Sequence, residues 1–243
     1  MSARIHIAQT LTPGLELSLP DGAARHVQVL RLQPGDALTL FDGRGGQWQA
    51  QVLAMGRKSV SARVLAHQAL ECELARPVTL AVGMPANERM DSLVEKATEL
   101  GVAEIVPLVC ERSVLRVAGD RADRKAAHWQ AIAVAACEQS GRNRVPRVQA
   151  PRLLKDWLAG PQTGLRGVLC FAPQARPLQA WLGLAGPGPV TWLSGPEGGL
   201  TDAETTLAQD RGFQPLTLGA RVLRADTAPL AALAGLCALE PCP

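Results

Sequence analysis

The residues with the clearest potential for chemistry form a glycine-rich turn, LSGPEGGL at 193–200. An apolar run precedes it, and Thr201 with Glu204 has capping-box spacing, so a strand is predicted before the turn and a helix after it. Glycines there let the backbone approach a ligand closely, and ligands of open α/β sheets bind at strand carboxyl ends. The turn matches neither GxGxxG nor the Walker A pattern. A tight connection without a ligand is the alternative.

A second segment, LTLGARVLRADTAP at 216–229, combines two arginines with a carboxylate. Arg221, Arg224 and Asp226 lie just before a predicted apolar helix, for which Thr227 is a suitable N-cap. Such a cluster is able to bind a polar substrate. It is equally typical of a solvated group of ion pairs.

A third segment, EQSGRNRVPR at 138–147, concentrates arginines in a loop. Its three arginines and one asparagine, Arg142, Asn143, Arg144 and Arg147, are candidates for contacts to phosphates or bases. The alternative is a helix C-terminus at which positive charge is favourable.

Short strands and turns are predicted up to about residue 72. A hairpin is expected around the turn DGRGG at 42–46, which joins two β-prone runs. The predicted strands are Leu15–Leu19, Ala37–Phe41, Gln47–Leu53 and Ser59–Leu65, with one helix at Asp21–Leu32. This pattern indicates a small, closed β-barrel.

From about Arg76 onward, strands alternate with helices, which predicts a mainly parallel α/β sheet. The predicted strands are Val78–Val82, Ile105–Val106, Val168–Phe171 and Val190–Leu193. One predicted helix places Met90, Leu93, Val94, Ala97 and Leu100 on one face and ends at Gly101, and a second runs from about Arg124 to Ser140. Residues 183–189 are a predicted loop.

Composition limits the possible classes of function. The 243 residues are 47% hydrophobic, with a net charge of +3 and only 3% aromatic residues, so a folded core is expected and rows of stacking rings are not. The six cysteines and four histidines show no zinc spacing, so no metal site is expected, and most thiols are predicted to be buried. With no signal-peptide core and no membrane span, a cytoplasmic protein is predicted.

Five stretches together resemble one family, the RsmE proteins of the SPOUT-class RNA methyltransferases. They are HVQVLRLQPGDALTLFDG (26–43), ERMDSLVEKATELGVAEIVPLVCERS (88–113), AIAVAACEQSGRNRVP (131–146), LSGPEGGLTDAE (193–204) and LGARVLRADTAPL (218–230). GPEGG alone is weakly specific for the SPOUT class, but its combination with EQSGRNRVP and RVLR is highly specific. One departure is visible, because many relatives have Thr-Glu where this chain has Ala225-Asp226.

The resemblance implies an α/β fold in two domains. Residues 1–72 would form a PUA-like RNA-binding β-barrel and residues 73–243 a SPOUT methyltransferase domain with a deep C-terminal trefoil knot, a rare exception to unknotted folds. It also implies a homodimer, with the active site at the subunit interface. The cofactor would be S-adenosyl-L-methionine, held by Leu193, Gly195, Glu197, Gly198, Leu218, Gly219, Val222, Leu223, Arg224 and Thr227.

The implied reaction is methylation of N3 of a uridine in the decoding region of 16S rRNA, in the small ribosomal subunit. Arg224, with Arg221, is expected to stabilise the uracil anion, and Asp226 or Glu197 to accept the N3 proton. The predicted RNA-contacting residues are Arg4, Arg25, Arg31, Arg142, Asn143 and Arg144.

Three other functions remain open from the sequence. A SPOUT enzyme with another target, such as a tRNA ribose methyltransferase, would share the fold. An assembly factor that binds RNA without catalysis would have no need of the cofactor. A nucleotide-binding oxidoreductase is disfavoured because the phosphate-loop pattern is missing.

Overall fold

The computed structural model describes residues 3–183 and 188–239, and the chain divides into two compact units. The first unit contains residues 1–73 together with 137–145, and the second contains the rest of the chain. The first unit therefore includes a segment that lies far along the sequence from its other residues.

A five-stranded sheet and one helix form the body of the first unit. The elements are β1 (Ala3–His6), β2 (Glu16–Ser18), α1 (Asp21–Val29), β3 (Ala37–Phe41), β4 (Gln47–Met55) and β5 (Val60–Gln68). The strand order is β1-β3-β4-β5-β2, with β1 parallel to β3 and the other pairs antiparallel. The predicted closure of the barrel is wrong, because the edge strands β1 and β2 have only four and three residues and do not pair with each other in the described part of the chain.

The predicted hairpin at 42–46 is confirmed as the antiparallel pair β3–β4. Its turn needs glycine, since Gly45 has φ +119° and a Cβ there would lie 2.3 Å from a carboxylate oxygen of Glu71. Alternate residues of the strands, such as Leu38, Leu40 and Val52, point into the core of this unit.

Helix α1 ends three residues earlier than predicted, at Val29. Arg31 follows in the left-handed conformation, with φ 57°, and is the one non-glycine residue with positive φ in the described ranges. Its N–H donates to the carbonyl of Gln28, and the N–H of Leu32 donates to that of Val27. These two bonds are those of a Schellman motif, in which glycine is usual at the position of Arg31.

The second unit is built on an eight-stranded sheet. Its elements are β6 (Val78–Gly83), α2 (Asn87–Glu99), β7 (Glu104–Val109), α3 (Asp120–Ser140), β8 (Arg147–Val148), β9 (Arg152–Leu153), α4 (Leu154–Ala159), β10 (Leu165–Leu169), β11 (Arg176–Pro177), α5 (Leu178–Leu182), β12 (Val190–Ser194), α6 (Asp202–Asp210), β13 (Gln214–Thr217) and α7 (Thr227–Leu239). The last turn of α3 belongs to the first unit. The strand order is β11-β13-β10-β12-β6-β7-β8, with β9 beside β7, and every described pairing is parallel, as predicted.

Helices cover both faces of this sheet, because alternate residues of each central strand enter different cores. In β12, Trp192 packs in the core with α2, α3 and α7, whereas Leu193 packs in the core with α4 and α6. In β6, Leu80 packs in the same core as Trp192, and Ala81 packs in the same core as Leu193. Strands buried on both faces explain the nearly continuous apolar runs in the sequence.

Several predicted boundaries shift. Helix α3 begins at Asp120 rather than Arg124. The apolar periodicity does not indicate its first turn, because that turn is polar and only Ala122 is buried there. The run predicted as a buried strand at Val168–Phe171 is wrong at its end, since β10 stops at Leu169 and Phe171 is 62% exposed. The loop predicted at 183–189 falls largely on residues 184–187, which lie outside the described residues.

Candidate functional site

A cavity of about 500 Å³ opens at the carboxyl ends of the adjacent parallel strands β10, β12 and β13. Its walls come from the segment after β10 (Leu169, Cys170, Phe171), the turn after β12 (Ser194, Gly195, Pro196, Glu197, Gly199, Leu200) and the loop at the end of β13 (Leu216, Thr217, Leu218, Gly219, Arg221, Val222, Leu223, Arg224, Ala225), with Arg89, Thr205 and Ala228 beside them. This volume is typical of a site for a small molecule or cofactor. The position matches the prediction that strand carboxyl ends carry the ligand site.

The glycine-rich turn is compact for a definite reason. A Cβ on Gly195 would lie 2.7 Å from the amide nitrogen of Leu200, so the turn has no space for a side chain there. Thr201 and Glu204 form the predicted capping box, in which each side chain accepts from the other's backbone N–H, and α6 begins at Asp202. The helix start therefore holds the turn in place.

Glu197 is fixed by two contacts. Its Oε1 accepts a hydrogen bond of 2.9 Å from the backbone N–H of Ala86 and lies 3.6 Å from Nη1 of Arg89. Arg89 belongs to the first turn of α2 and lines the cavity. Sequence reasoning did not single out Arg89, although it lies in the ERMD part of a family motif.

The loop after β13 brings Arg221 and Arg224 to the cavity, where both side chains are exposed. The carbonyl of Arg224 accepts from the N–H groups of Thr227 and Ala228, which ties this loop to the start of α7. Thr227 is the first helical residue rather than the predicted N-cap before it.

Charge in the cavity is predominantly positive. Three guanidinium groups line it, those of Arg89, Arg221 and Arg224, against the carboxylate of Glu197. Asp226 does not line the cavity, and its Oδ1 is buried without a hydrogen-bond partner among the described residues. Such a lining favours a ligand or substrate that carries, or develops, negative charge.

Ser194 adds a polar group to the wall of the cavity. Its side chain is 3% exposed, and its Oγ has no hydrogen-bond partner in the described part of the chain. A buried hydroxyl without a partner is unfavourable, so a bound molecule that hydrogen-bonds to it would remove that cost.

Seven of the ten predicted cofactor positions line the cavity: Gly195, Glu197, Leu218, Gly219, Val222, Leu223 and Arg224. Leu193, Gly198 and Thr227 do not. The Leu193 side chain is on the opposite face of β12, in the core with α6, and the Gly198 carbonyl accepts from Nη1 of Arg112. Sequence reasoning missed the segment Leu169–Phe171, because its apolar residues look like the continuation of a strand.

Two of the predicted RNA-contacting residues in the arginine loop, the segment 138–147, are buried. Arg142 and Asn143 are 3% and 0% exposed, respectively. Nε of Arg142 donates to Glu73 at 3.1 Å within an ion pair, and Nδ2 of Asn143 donates to the carbonyl of Leu70 at 2.7 Å. Both side chains are therefore engaged within the first unit, and their contact with RNA stays a prediction.

The other predicted RNA contacts differ in accessibility. Arg25, Arg31 and Arg144 are exposed, and Arg144 pairs with Glu71 at 3.2 Å. Arg4 is half-buried, donates to Gln47 and Asn143, and lies over the ring of Phe41. Burial lowers the pKa of the Arg4 guanidinium from its usual value.

The cysteines are less buried than predicted. Cys110 and Cys137 are buried, and burial raises the pKa of these thiols to about 12 and about 11. Cys170 and Cys237 are partly buried, and Cys72 is exposed. The two buried thiols are therefore poor nucleophiles at neutral pH.

Within residues 3–183 and 188–239, no cluster of three or more His, Cys, Asp or Glu side chains has the arrangement of a metal site. No helix in the same ranges is both long enough and apolar enough to cross a membrane.

Comparison with known families agrees with the motifs. The model of the RNA methyltransferase domain matches residues 72–236, and that of the RNA methyltransferase PUA domain matches residues 19–65. Ribosomal RNA small subunit methyltransferase E of Synechocystis is 38% identical over 98% of this chain and 78% of its own length. The Bacillus subtilis protein of the same name is 30% identical over 86% of this chain and 84% of its own length.

Solved structures give the same result. Ribosomal RNA small subunit methyltransferase E from Neisseria gonorrhoeae, bound to S-adenosyl methionine, is 35% identical, with a TM-score of 0.90 over 98% of both chains. A putative methyltransferase from Legionella pneumophila in complex with the same cofactor is 33% identical, with a TM-score of 0.91 over 98% of both chains. The chain therefore belongs to the RNA methyltransferase family of ribosomal RNA small subunit methyltransferase E, the RsmE family indicated by its motifs.

Proposed function

We propose that this chain transfers a methyl group from S-adenosylmethionine to N3 of a uridine in the decoding region of 16S rRNA, in the small ribosomal subunit. The observation that carries the proposal is the cavity itself. Two separate motif segments, 193–204 and 218–230, meet there at the ends of adjacent strands. The choice of a uridine and of its N3 atom follows from the family resemblance. The positive lining of the cavity would stabilise an anionic nucleophile.

The cavity fits the cofactor in size and in chemistry. Its volume of about 500 Å³ is that of a cofactor site, the turn at Gly195 lets a ligand approach the backbone, and the Ser194 hydroxyl is available as a partner. The seven lining positions named above would hold the cofactor, and Leu193, Gly198 and Thr227 remain predicted contacts through their backbone atoms. When bound, the cofactor supplies a methyl group on a positively charged sulfur.

Uridine N3 carries a weakly acidic proton that must leave before or during attack on the methyl group. The uracil anion that forms carries negative charge on its carbonyl oxygens. Arg224 and Arg221 are exposed cations in the cavity wall, and we assign to them the stabilisation of that charge. A cation in this position favours the deprotonated base without a covalent intermediate.

Two carboxylates are candidates to accept the N3 proton. Glu197 lines the cavity, but its Oε1 is already engaged by the Ala86 N–H and Arg89, which suits an orienting role. Asp226 has an oxygen without a partner, and we propose it as the proton acceptor. Because Asp226 does not line the cavity, this role requires the loop to adjust when RNA binds.

RNA recognition is assigned to the first unit, following the predicted division at residues 72 and 73. Its proposed contacts are the exposed Arg25, Arg31 and Arg144, with Arg4 as a half-buried contributor. The proposed place of action is the cytoplasm, where ribosomal subunits occur.

We also propose that the second unit is knotted and that the protein works as a homodimer. Support for the knot comes from the family resemblance and from α7, which follows the loop after β13 and packs against α2, α5, β6 and β12.

Light scattering of the purified protein tests the dimer. A particle of twice the chain mass is expected, and a monomer at assay concentration contradicts it.

The function is tested with purified protein, labelled S-adenosylmethionine and small ribosomal subunits that lack the modification. Mass spectrometry of the digested nucleosides should identify N3-methyluridine in 16S rRNA. A ribose-methylated product, or a product in tRNA only, would show that this chain is a SPOUT enzyme with another target. Absence of product together with absence of cofactor binding in calorimetry would favour an RNA-binding assembly factor.

A further inference from the structure

One aromatic side chain at the cavity is unusually exposed. The chain has five Trp and three Phe residues, all in the described part of the structure, and Phe171 is the only exposed one. Its relative exposure is 62%, although it lies only two residues after the last residue of β10. Leaving a ring of this size in water forgoes a burial free energy of about 1.5–3 kcal/mol, so the position calls for a partner.

Phe171 shares the cavity wall with other exposed side chains. Val222 is 83% exposed, and Arg221 and Arg224 are exposed as well. The cavity therefore has a closed part, where Ser194 is buried, and an open rim of one ring, one aliphatic group and two guanidinium groups. A flat π-surface beside arginines is the combination that recognises an unstacked nucleobase.

The exposure of the ring distinguishes between two possible occupants. A small molecule in a pocket of this kind usually has 70–90% of its surface buried and is held mainly by enclosed walls. A ring that remains 62% exposed is better suited to a group that arrives from solvent as part of a larger molecule. A base within folded RNA must leave its stack before it is methylated, and it then needs a new stacking surface.

We propose that Phe171 is the stacking surface for the RNA base that receives the methyl group. The inference rests on the proposed RNA methylation and deepens it by assigning the exposed ring of Phe171, beside Arg221 and Arg224, to the substrate base. Arg221 and Arg224 then contact the edge of the base whose face lies on Phe171.

Three substitutions at this position test the proposal. Phe171→Ala removes the apolar surface, Phe171→Leu keeps an apolar side chain without a ring, and Phe171→Trp keeps a ring. Methylation of unmodified small subunits gives kcat/KM, and calorimetry gives the Kd for S-adenosylmethionine. Base–aromatic stacking is worth roughly a 5- to 150-fold factor per base.

Phe171→Ala and Phe171→Leu should both lower kcat/KM for the RNA by at least about fivefold, a loss at the low end of that range. Phe171→Trp should stay within about twofold of wild type, and all three should bind the cofactor within about twofold of wild type. Normal methylation by Phe171→Ala or Phe171→Leu would overturn the stacking role and leave the proposed function intact. If the Kd for S-adenosylmethionine rose by the same factor as kcat/KM fell, the ring would contact the cofactor and not the base. If wild type bound cofactor but methylated no RNA, the proposed function would fail, and this inference with it.

Discussion

At the scale of single residues, the cavity wall and the loop beside it contain groups that are costly to leave without partners. The Oγ of Ser194 and Oδ1 of Asp226 are both buried without a hydrogen-bond partner in the described ranges. A folded chain tolerates such groups where a ligand completes them. Glu197 differs from these two residues, because its Oε1 already accepts a hydrogen bond from a backbone N–H.

Ser194 provides the residue-scale prediction. Ser194→Ala removes the hydroxyl that we propose as a hydrogen-bond partner of the cofactor. A net hydrogen bond of about 0.5–1.5 kcal/mol corresponds to a two- to tenfold rise in Kd. The free energy of unfolding without cofactor should stay unchanged or rise by up to about 1 kcal/mol, because an unsatisfied buried hydroxyl is lost. Calorimetry and urea unfolding measure these two quantities.

Ser140 supplies the matched control. Its Oγ is also buried without a partner among the described residues, but it does not line the cavity. Ser140→Ala should therefore leave cofactor affinity unchanged. Equal affinities for wild type and Ser194→Ala would show that the hydroxyl does not contact the cofactor.

At the scale of elements, the end of α1 carries backbone strain. Arg31 adopts φ 57° where a Schellman motif favours glycine, and this conformation costs a residue with a Cβ roughly 1 kcal/mol. Arg31→Gly should raise the free energy of unfolding by about 0.5–1 kcal/mol. Arg25→Gly, in the middle of the same helix, should lower it by about 0.8–1 kcal/mol. Denaturant unfolding that shows the same sign for both variants would contradict this interpretation.

The elements also show which features the sequence could predict. The hairpin at β3–β4 and the helix α2 follow directly from local patterns, a glycine turn in one case and a single apolar face in the other. The exposure of Phe171 could not be predicted from the local sequence. The end of β10 is set by its pairing with β12 and β13 rather than by its own apolar run. Leu193 and Ser194 lie on opposite faces of β12, a difference that depends on the register of the sheet.

The candidate site was predictable to a similar degree. The two segments that line the cavity could be singled out by local signals, a glycine-rich turn and an arginine cluster, whereas the individual cofactor positions follow from the family resemblance. Arg89 could not be singled out, because its proximity to Glu197 depends on residues that are 108 positions apart in the chain. Arg142 has the residue type of an RNA contact, and only its pairing with Glu73 shows that it is structural.

At the scale of the whole molecule, the first unit depends on contacts between residues distant in sequence. The segment 137–145 completes it, and the buried ion pair of Arg142 with Glu73 joins positions 69 apart. Contacts of such long range raise the contact order of a chain, which slows folding. Arg142 is therefore a structural part of the unit, whereas Arg144 of the same loop is exposed.

Two neighbouring arginines test this structural role. Arg142→Ala leaves Glu73 without its buried partner, so the free energy of unfolding should fall by about 3–5 kcal/mol. Arg144→Ala removes an exposed pair with Glu71 and should lower it by no more than about 1 kcal/mol. Urea unfolding of both variants gives the comparison, and a small loss for both would contradict the structural assignment of Arg142.

The central claim is that the cavity at the ends of β10, β12 and β13 is where a methyl group passes to RNA. The most direct test is single-turnover transfer of labelled methyl from S-adenosylmethionine to unmodified small subunits, by wild type and Arg224→Ala. Wild type should transfer the methyl group, Arg224→Ala should be slower by roughly 100-fold or more, and Arg211→Ala, an exposed arginine outside the cavity, should match wild type. Normal transfer by Arg224→Ala would contradict the claim.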